Sequence, residues 1–423
     1  MSADAAPEGP RDDQDQMSSD PGNETTRGYG NRWTAMGLLG AVAMTVFLVA
    51  LDFMAMWQDP PLYPGPGVTG QGRLSDYFPE IQDTWADTDV YFLEGEEAGG
   101  TVLILGGTHP NEPASSLTAI TMLENALVTR GRLILVPRAA HSGFTATDPQ
   151  EGYPQFYRIE TPTGTRRFRY GGRGTNPIHQ WPDPVIYVNG SGQQLAGPEV
   201  RNLNRSYPGD PNGYLTERLA FAIVEMIRQE EIDLSIDLHE ASPEYPVINA
   251  MVAHENAMDL AVEAGMLLEF DGIQIGVEPS PNNLRGLSHR EWGDATGTKA
   301  ILIESATPVQ GRLRGPTNEA LIVEGRDRYY NRAGEMGLLY VPFGEEGSPL
   351  AERVGRHIQT VAMLLEVFSS YNPDRTITVE NLPTLQEVME HGLGAYLAPP
   401  GGRGRRRPER PPRPRSSSSL RGS

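Results

Sequence analysis

The sequence predicts an α/β fold, helices flanking a mostly parallel or mixed sheet. Three observations predict it. Apolar strand-like runs alternate with amphipathic helical runs from about Leu74 to Tyr371, an order that layers helices on a sheet. One strand-like run ends in Gly106-Gly107, where glycines free the backbone for a tight turn. Two others run straight into His239 and Glu304, and ligands of open α/β sheets collect at the carboxyl ends of strands.

Residues 1–32 are rich in Asp, Ser, Gly and Pro without apolar periodicity, the pattern of a disordered tail. Residues 33–57 follow, uncharged from Trp33 to Leu51 and carrying Trp33 and Trp57 at the two ends. About 20 apolar residues span a bilayer core, and Trp suits its interfaces. Arg27 and Arg32 precede this segment, and no Lys or Arg follows it before Arg73. The positive-inside rule then keeps the N-terminus cytoplasmic and puts the rest outside the plasma membrane, as a single-pass protein on a lipid bilayer. The acidic tail ahead of the segment does not suit a cleaved signal peptide. Residues 58–73, rich in Pro and Gly, are expected to be a stalk.

In the body, 74–372, Thr101–Leu105 and Leu133–Val136 are predicted strands, and Ser115–Thr129 between them a helix through Leu117, Ile120, Leu123 and Leu127. Glu217–Glu230 is a predicted helix feeding a strand at Ile232–Leu238. Asn256–Phe270 is predicted helical, Ala300–Ile303 a strand and Pro349–Ser369 a long closing helix. Residues 141–198 have many Gly, Pro, Arg and aromatic residues with little periodicity, and loop regions that long commonly shape a substrate site. Residues 373–400 are less regular, and 401–423 form an Arg/Pro/Ser tail containing Arg405-Arg406-Arg407.

The net charge of −20 argues against a nucleic-acid partner, which needs clustered cations. With no cysteine, any metal must be held by His and carboxylate, which excludes thiolate zinc fingers and iron–sulfur clusters. No Gly-x-Ser-x-Gly elbow or phosphate-binding glycine loop is present, so serine hydrolases and nucleotide enzymes lack support.

Four short patterns carry chemistry. In Gly106-Gly107-Thr108-His109-Pro110-Asn111-Glu112, a His and a Glu three apart on a turn can converge on one ion. Arg201-Asn202-Leu203-Asn204-Arg205 precedes Tyr207-Pro208-Gly209, and Arg supplies a planar fork for a carboxylate. His239 follows an apolar run, with Asp237 two residues earlier placed to orient its ring. Glu304 ends the apolar run Ile301-Leu302-Ile303, where an acid is costly unless it is paired or working. Next to a metal it can serve as general base. His141, His179, His254, His289, His357 and His391 lack such settings and are expected to be structural or exposed, His289 being the exception to watch.

In this order the patterns resemble the zinc carboxypeptidase superfamily, and within it the succinylglutamate desuccinylase/aspartoacylase branch. The resemblance covers roughly residues 98–370. It implies one zinc ion on His109, Glu112 and His239, Glu304 as the catalytic glutamate, and Asn204 with Arg205 gripping a substrate carboxylate. Two positions depart from the family: Pro110 stands where a glycine is usual, and Gly197 where a carbonyl-polarising arginine is expected. Arg201, Arg138 or an arginine of the insertion are the alternatives. The resemblance implies a zinc-dependent amidohydrolase acting on an N-acyl amino acid or related carboxylate-bearing molecule. A carboxypeptidase or peptidoglycan-peptide hydrolase is the neighbouring possibility, and a non-catalytic, membrane-anchored binding protein the one from another class.

Overall fold

The computed structural model describes residues 31–148 and 152–398. The expected tails 1–32 (but for its last two residues) and 401–423 lie outside the described residues. The chain divides into two units, Met1–Asp52 and Phe53–Ser423. Helix α1, Arg32–Met56, is long and apolar enough to cross a membrane by length and composition. Its last residues, from Phe53, count with the second unit.

The second unit is a mixed α/β body. Its strands are β1 (Gly70–Arg73), β2 (Asp89–Glu94), β3 (Glu97–Leu105), β4 (Leu127–Val136), β5 (Phe156–Thr161), β6 (Gly164–Arg169) and β7 (Ile186–Val188). They continue as β8 (Gln194–Ala196), β9 (Leu234–Ala241), β10 (Ala250–Ala253), β11 (Gly276–Pro279), β12 (Lys299–Ala306) and β13 (Thr378–Glu380). The helices are α2 (Pro113–Asn125), α3 (Leu215–Gln229), α4 (Met258–Phe270), α5 (Ser288–Thr296), α6 (Glu319–Glu324), α7 (Arg328–Glu335), α8 (Leu350–Tyr371) and α9 (Leu385–His391).

The main sheet runs β1-β2-β4-β3-β9-β12-β10-β11, with β13 also pairing β4. Its centre, β4-β3-β9-β12, is parallel, and the flanks are largely antiparallel. Alternate residues of these strands feed two cores, as the period of two demands. Val102, Ile104, Ile236, Leu238, Ile301 and Ile303 pack with residues of α2, α4 and α8. On the opposite face Leu103, Leu105, Ile134 and Val136 pack with Leu219, Ile223, Met226 and Ile227 of α3 and with Trp292.

Four expectations need correcting. The helix expected over 115–129 ends at Asn125, and Leu127 already belongs to β4. Leu127 satisfies the helical spacing and the strand equally, and pairing with β13 decides for the strand. Both functional strands run past the expected ends, so His239 and Glu304 lie inside β9 and β12 rather than after them. The stretch expected as a stalk is packed onto the body: Val68 is buried, Leu62 lies against the same core, and Gly70–Arg73 is a strand. A Cβ on Gly65 or Gly67 would strike the main chain of Glu124 or Ala126, so those glycines allow close approach. Residues 373–398 likewise belong to the body, through β13 and through α9 packed on α8. The insertion forms two small hairpins, β5-β6 and β7-β8.

Candidate metal centre and active site

The centre starts at the turn after β3. Gly107 has φ +72°, and a Cβ there would meet the Phe144 ring at 2.9 Å and the Pro137 carbonyl oxygen at 3.0 Å, so only glycine fits. The Glu112 amide donates to the His109 carbonyl at 2.9 Å, closing a turn that turns both side chains toward each other. From the sheet, β9 brings His239 and β12 brings Glu304. The two are register partners on adjacent parallel strands, so both side chains rise from the same face.

Glu112 is the hub. Its Oε1 lies 2.8 Å from His109 Nδ1 and its Oε2 lies 2.9 Å from His239 Nδ1. Oε2 also accepts from the Glu240 amide at 3.0 Å, and Oε1 from Arg173 at 3.0 Å. His109, Glu112 and His239 are all buried, and one ligand atom from each lies within 4.8 Å of the others.

The outer hydrogen bonds set what each ring's Nε2 faces. Asn202 donates through its Nδ2 to Glu199, so its Oδ1 faces His109 Nε2 at 2.9 Å as an acceptor. The same oxygen accepts from the Asn204 amide. Asp237, which can only accept when ionised, lies 2.9 Å from His239 Nε2. It is held in turn by Thr108 at 2.8 Å and Ser288 at 2.6 Å. Each ring thus has an acceptor at Nε2, so that a cation at the centre would meet an Nδ1 lone pair from each ring beside one carboxylate. Two such nitrogens and a carboxylate, with no thiolate, fit one zinc ion and leave a coordination position open.

The electrostatics show a cation-seeking centre. Burial alone would raise the Glu112 carboxyl, but the two histidines outweigh it and hold Glu112 well below the usual carboxylate range. Burial, helped by Arg173, pulls His109 down to about 4. Burial would also lower His239, but Asp237 and Glu112 outweigh it and push it well up. Where no metal is bound, the positive charge thus sits on His239. Glu304 is wholly buried, and burial pushes its carboxyl up to about 8, with Glu112 and Asp237 adding to the rise while His239 and Arg173 oppose it. Its Oε2 has no hydrogen-bond partner among the described residues.

A raised folded-state pKa means stability that is complete below the unfolded pKa, near 4.5, and lost as pH rises toward about 8. Chelator-treated protein should therefore lose stability between pH 5 and 8 through Glu304. Glu304→Gln should remove that part of the slope. Urea midpoints of the two metal-free proteins across this range check it, and parallel slopes would contradict it.

The arginines sort themselves by partner. Arg205 is about a quarter exposed and donates to the Asn204 carbonyl at 2.7 Å. Glu304 and Glu112 are among the charges that act on it. Asn204 is buried and accepts from the Ser288 amide at 2.8 Å. Arg201, a candidate for the substrate, is instead gripped by Asp183 at 2.8 and 3.0 Å and bonds the Thr175 carbonyl. Arg138 is taken up by the Pro60 carbonyl and Asp59. The insertion supplies Arg173, which reaches Glu112 while remaining half exposed.

Asn202 and Arg173 were not singled out from the sequence. Asn202 lies within the Arg201–Arg205 pattern, so its position beside Asn204 was a usable signal. Arg173 sits in an aperiodic loop with many arginines, which gave none. His289, the expected exception, is buried and bonded to Ser280 at 2.7 Å. His357 bonds the His239 carbonyl at 3.0 Å, bracing β9 from α8.

No family model matches the chain, and no curated protein matches it. Among solved structures it is similar to a succinylglutamate desuccinylase from Silicibacter sp. TM1040, 16% identical over 53% of this chain and 55% of that one, TM-score 0.34. An aspartoacylase family protein from Mesorhizobium loti is 18% identical over 58% and 65%, TM-score 0.32. The tripeptide-bound cell shape determinant Csd4 from Helicobacter pylori is 11% identical over 72% and 59%, TM-score 0.41. The chain thus spans about half the length of the first of these. Desuccinylase and aspartoacylase are the names that its motifs resemble.

Proposed function

We propose that this chain is a zinc-dependent hydrolase that cleaves a C–N amide bond in an N-acyl amino acid or a related carboxylate-bearing molecule. The observation that carries the reading is the pair of buried histidines, each with an outer acceptor at Nε2 and its Nδ1 against Glu112, beside a buried carboxyl, Glu304, with a free oxygen. A zinc ion held by His109, Glu112 and His239 would supply Lewis acidity, acidifying water and polarising a carbonyl.

Glu304 takes the proton of the attacking water on Oε2 and returns it to the departing nitrogen. Asn204 and Arg205 bind and orient the substrate carboxylate, and Asp237 and Asn202 hold the two imidazoles in register. Arg173, half exposed above Glu112, stands where a cation can face the scissile carbonyl. Arg201 has no part, because Asp183 occupies its fork.

Helix α1 is read as a membrane span with the catalytic unit outside the plasma membrane. Its supports are its length of 25 residues with a largely apolar composition and the position of Arg27 and Arg32 on its N-terminal side, with no Lys or Arg after it before Arg73.

Metal analysis with a substrate panel tests the reading. The purified protein should hold close to one zinc per chain and hydrolyse N-acyl amino acids or short peptides with a free carboxylate. The preferred class decides between deacylase and peptidase. A zinc-loaded protein that cleaves no member of either class would make it a binding protein instead.

A further inference from the structure

Helix α2 starts directly after one of the three candidate ligands, and its first turn is capped from elsewhere. Glu112 occupies the capping position of α2, yet its side chain makes no capping bond, because its two oxygens are turned to His109 and His239. The first amides of a helix have no partner within it, so where they are buried another acceptor must meet them. Pro113, at the first position, has no N–H to satisfy. The Ser115 amide turns back to the Glu112 carbonyl at 3.2 Å. Ala114 is buried, and its amide donates to Glu240 Oε2 at 2.7 Å, from a strand outside the helix.

Glu240 holds the same turn a second time. Its own amide donates to Glu112 Oε2 at 3.0 Å, so one residue grips both the Glu112 carboxylate and the amide two places beyond it. Its Oε1 pairs with Arg353 of α8, and both side chains are buried. Arg353 also donates to Thr307 Oγ1 at 2.8 Å, just past the end of β12, and to the carbonyls of Ser348 and Ile322. One turn along α8, His357 bonds the His239 carbonyl at 3.0 Å. The segments that carry Glu112, His239 and Glu304 are thus tied to one another and to α8. A buried ion pair is a weak source of stability, and apolar side chains of similar volume often replace one without loss. What sets this pair apart is its position.

We infer that Glu240 is a positioning residue, standing in as the cap of α2 so that Glu112 keeps its carboxylate for a metal ion. Arg353 neutralises the charge that this substitute cap brings into the core. The inference rests on the zinc reading of the centre and extends it to a residue outside the ligand set.

Two full-length double variants separate capping from packing. Both remove the buried pair as a whole, so neither leaves a lone charge in the core. Glu240→Gln with Arg353→Met keeps an oxygen for the Ala114 amide, and Glu240→Leu with Arg353→Met does not. Zinc affinity, by competition with a chromogenic chelator, and the visible spectrum of bound cobalt(II) are measured on each, beside the urea midpoint of the metal-free protein. The Leu variant should lose roughly 10–100-fold in zinc affinity, the range for groups that orient ligands, and its cobalt bands should shift. The Gln variant should stay within a few-fold of wild type and keep the wild-type spectrum. Glu240→Met with Arg353→Leu, which redistributes the apolar bulk, takes the place of the Leu variant if the latter does not fold. Equal affinities in the two variants, whether both at the wild-type level or both reduced, would overturn the inference and leave the zinc reading intact. Wild-type protein that takes up neither zinc nor cobalt would overturn both.

Discussion

Glu304→Gln is expected to lower kcat by roughly 10³-fold, within the range of a general acid–base group, while zinc content stays at the wild-type level. Gln keeps the shape of the side chain on β12 but cannot take a proton. Glu304 is buried on the same sheet face as His239 and one strand away from it, and its free Oε2 is the feature on which the proton transfer depends. Because Glu304 makes none of the contacts that gather His109, Glu112 and His239, metal analysis should separate lost chemistry from lost zinc. Turnover within tenfold of wild type would show that another group moves the proton.

Glu112→Gln should strip the metal. The carboxylate meets both Nδ1 atoms and accepts from the Glu240 amide and Arg173. An amide can present an oxygen to only one side and brings no charge. The loss of zinc affinity should exceed the roughly 10–100-fold expected for Asp237→Asn, which only loosens the orientation of His239. Competition with a chromogenic zinc chelator ranks the three proteins. An affinity for Glu112→Gln equal to that of Asp237→Asn would demote Glu112 from ligand to outer partner.

Much of the fold was legible because the apolar periodicity is clean where the sheet is central. The runs around Leu103, Ile236 and Leu302 are buried on both faces, and such strands read as uninterrupted apolar segments. Edges were less legible. Residues 58–73 carry the Pro and Gly of a linker, and it takes their contacts in the fold, those with Glu124 and Ala126 among them, to reveal a packed segment. The gathering of His109, Glu112 and His239 was foreshadowed by the apolar runs that lead into them, although His239 lies inside β9 rather than after it. The fate of the arginines was not: the difference between Arg201 and Arg173 lies in Asp183, a partner distant from any motif, and pairing across loops leaves no periodic trace.

Glu304 and His239 face each other across a ladder of parallel backbone hydrogen bonds, so their spacing is inherited from the separation of neighbouring strands, about 4.8 Å. A slip by one residue would invert every side chain on the strand and wreck both cores. The spacing of these two side chains is thereby set apart from the hairpins of residues 141–198, which reach the centre through Arg173 and through Phe144 and Gly171 at the turn that carries His109. Grafting a different insertion that retains a guanidinium at that point should retune which molecules are admitted and leave the bond-breaking apparatus in tune, a natural route for diversifying specificity without refolding the scaffold.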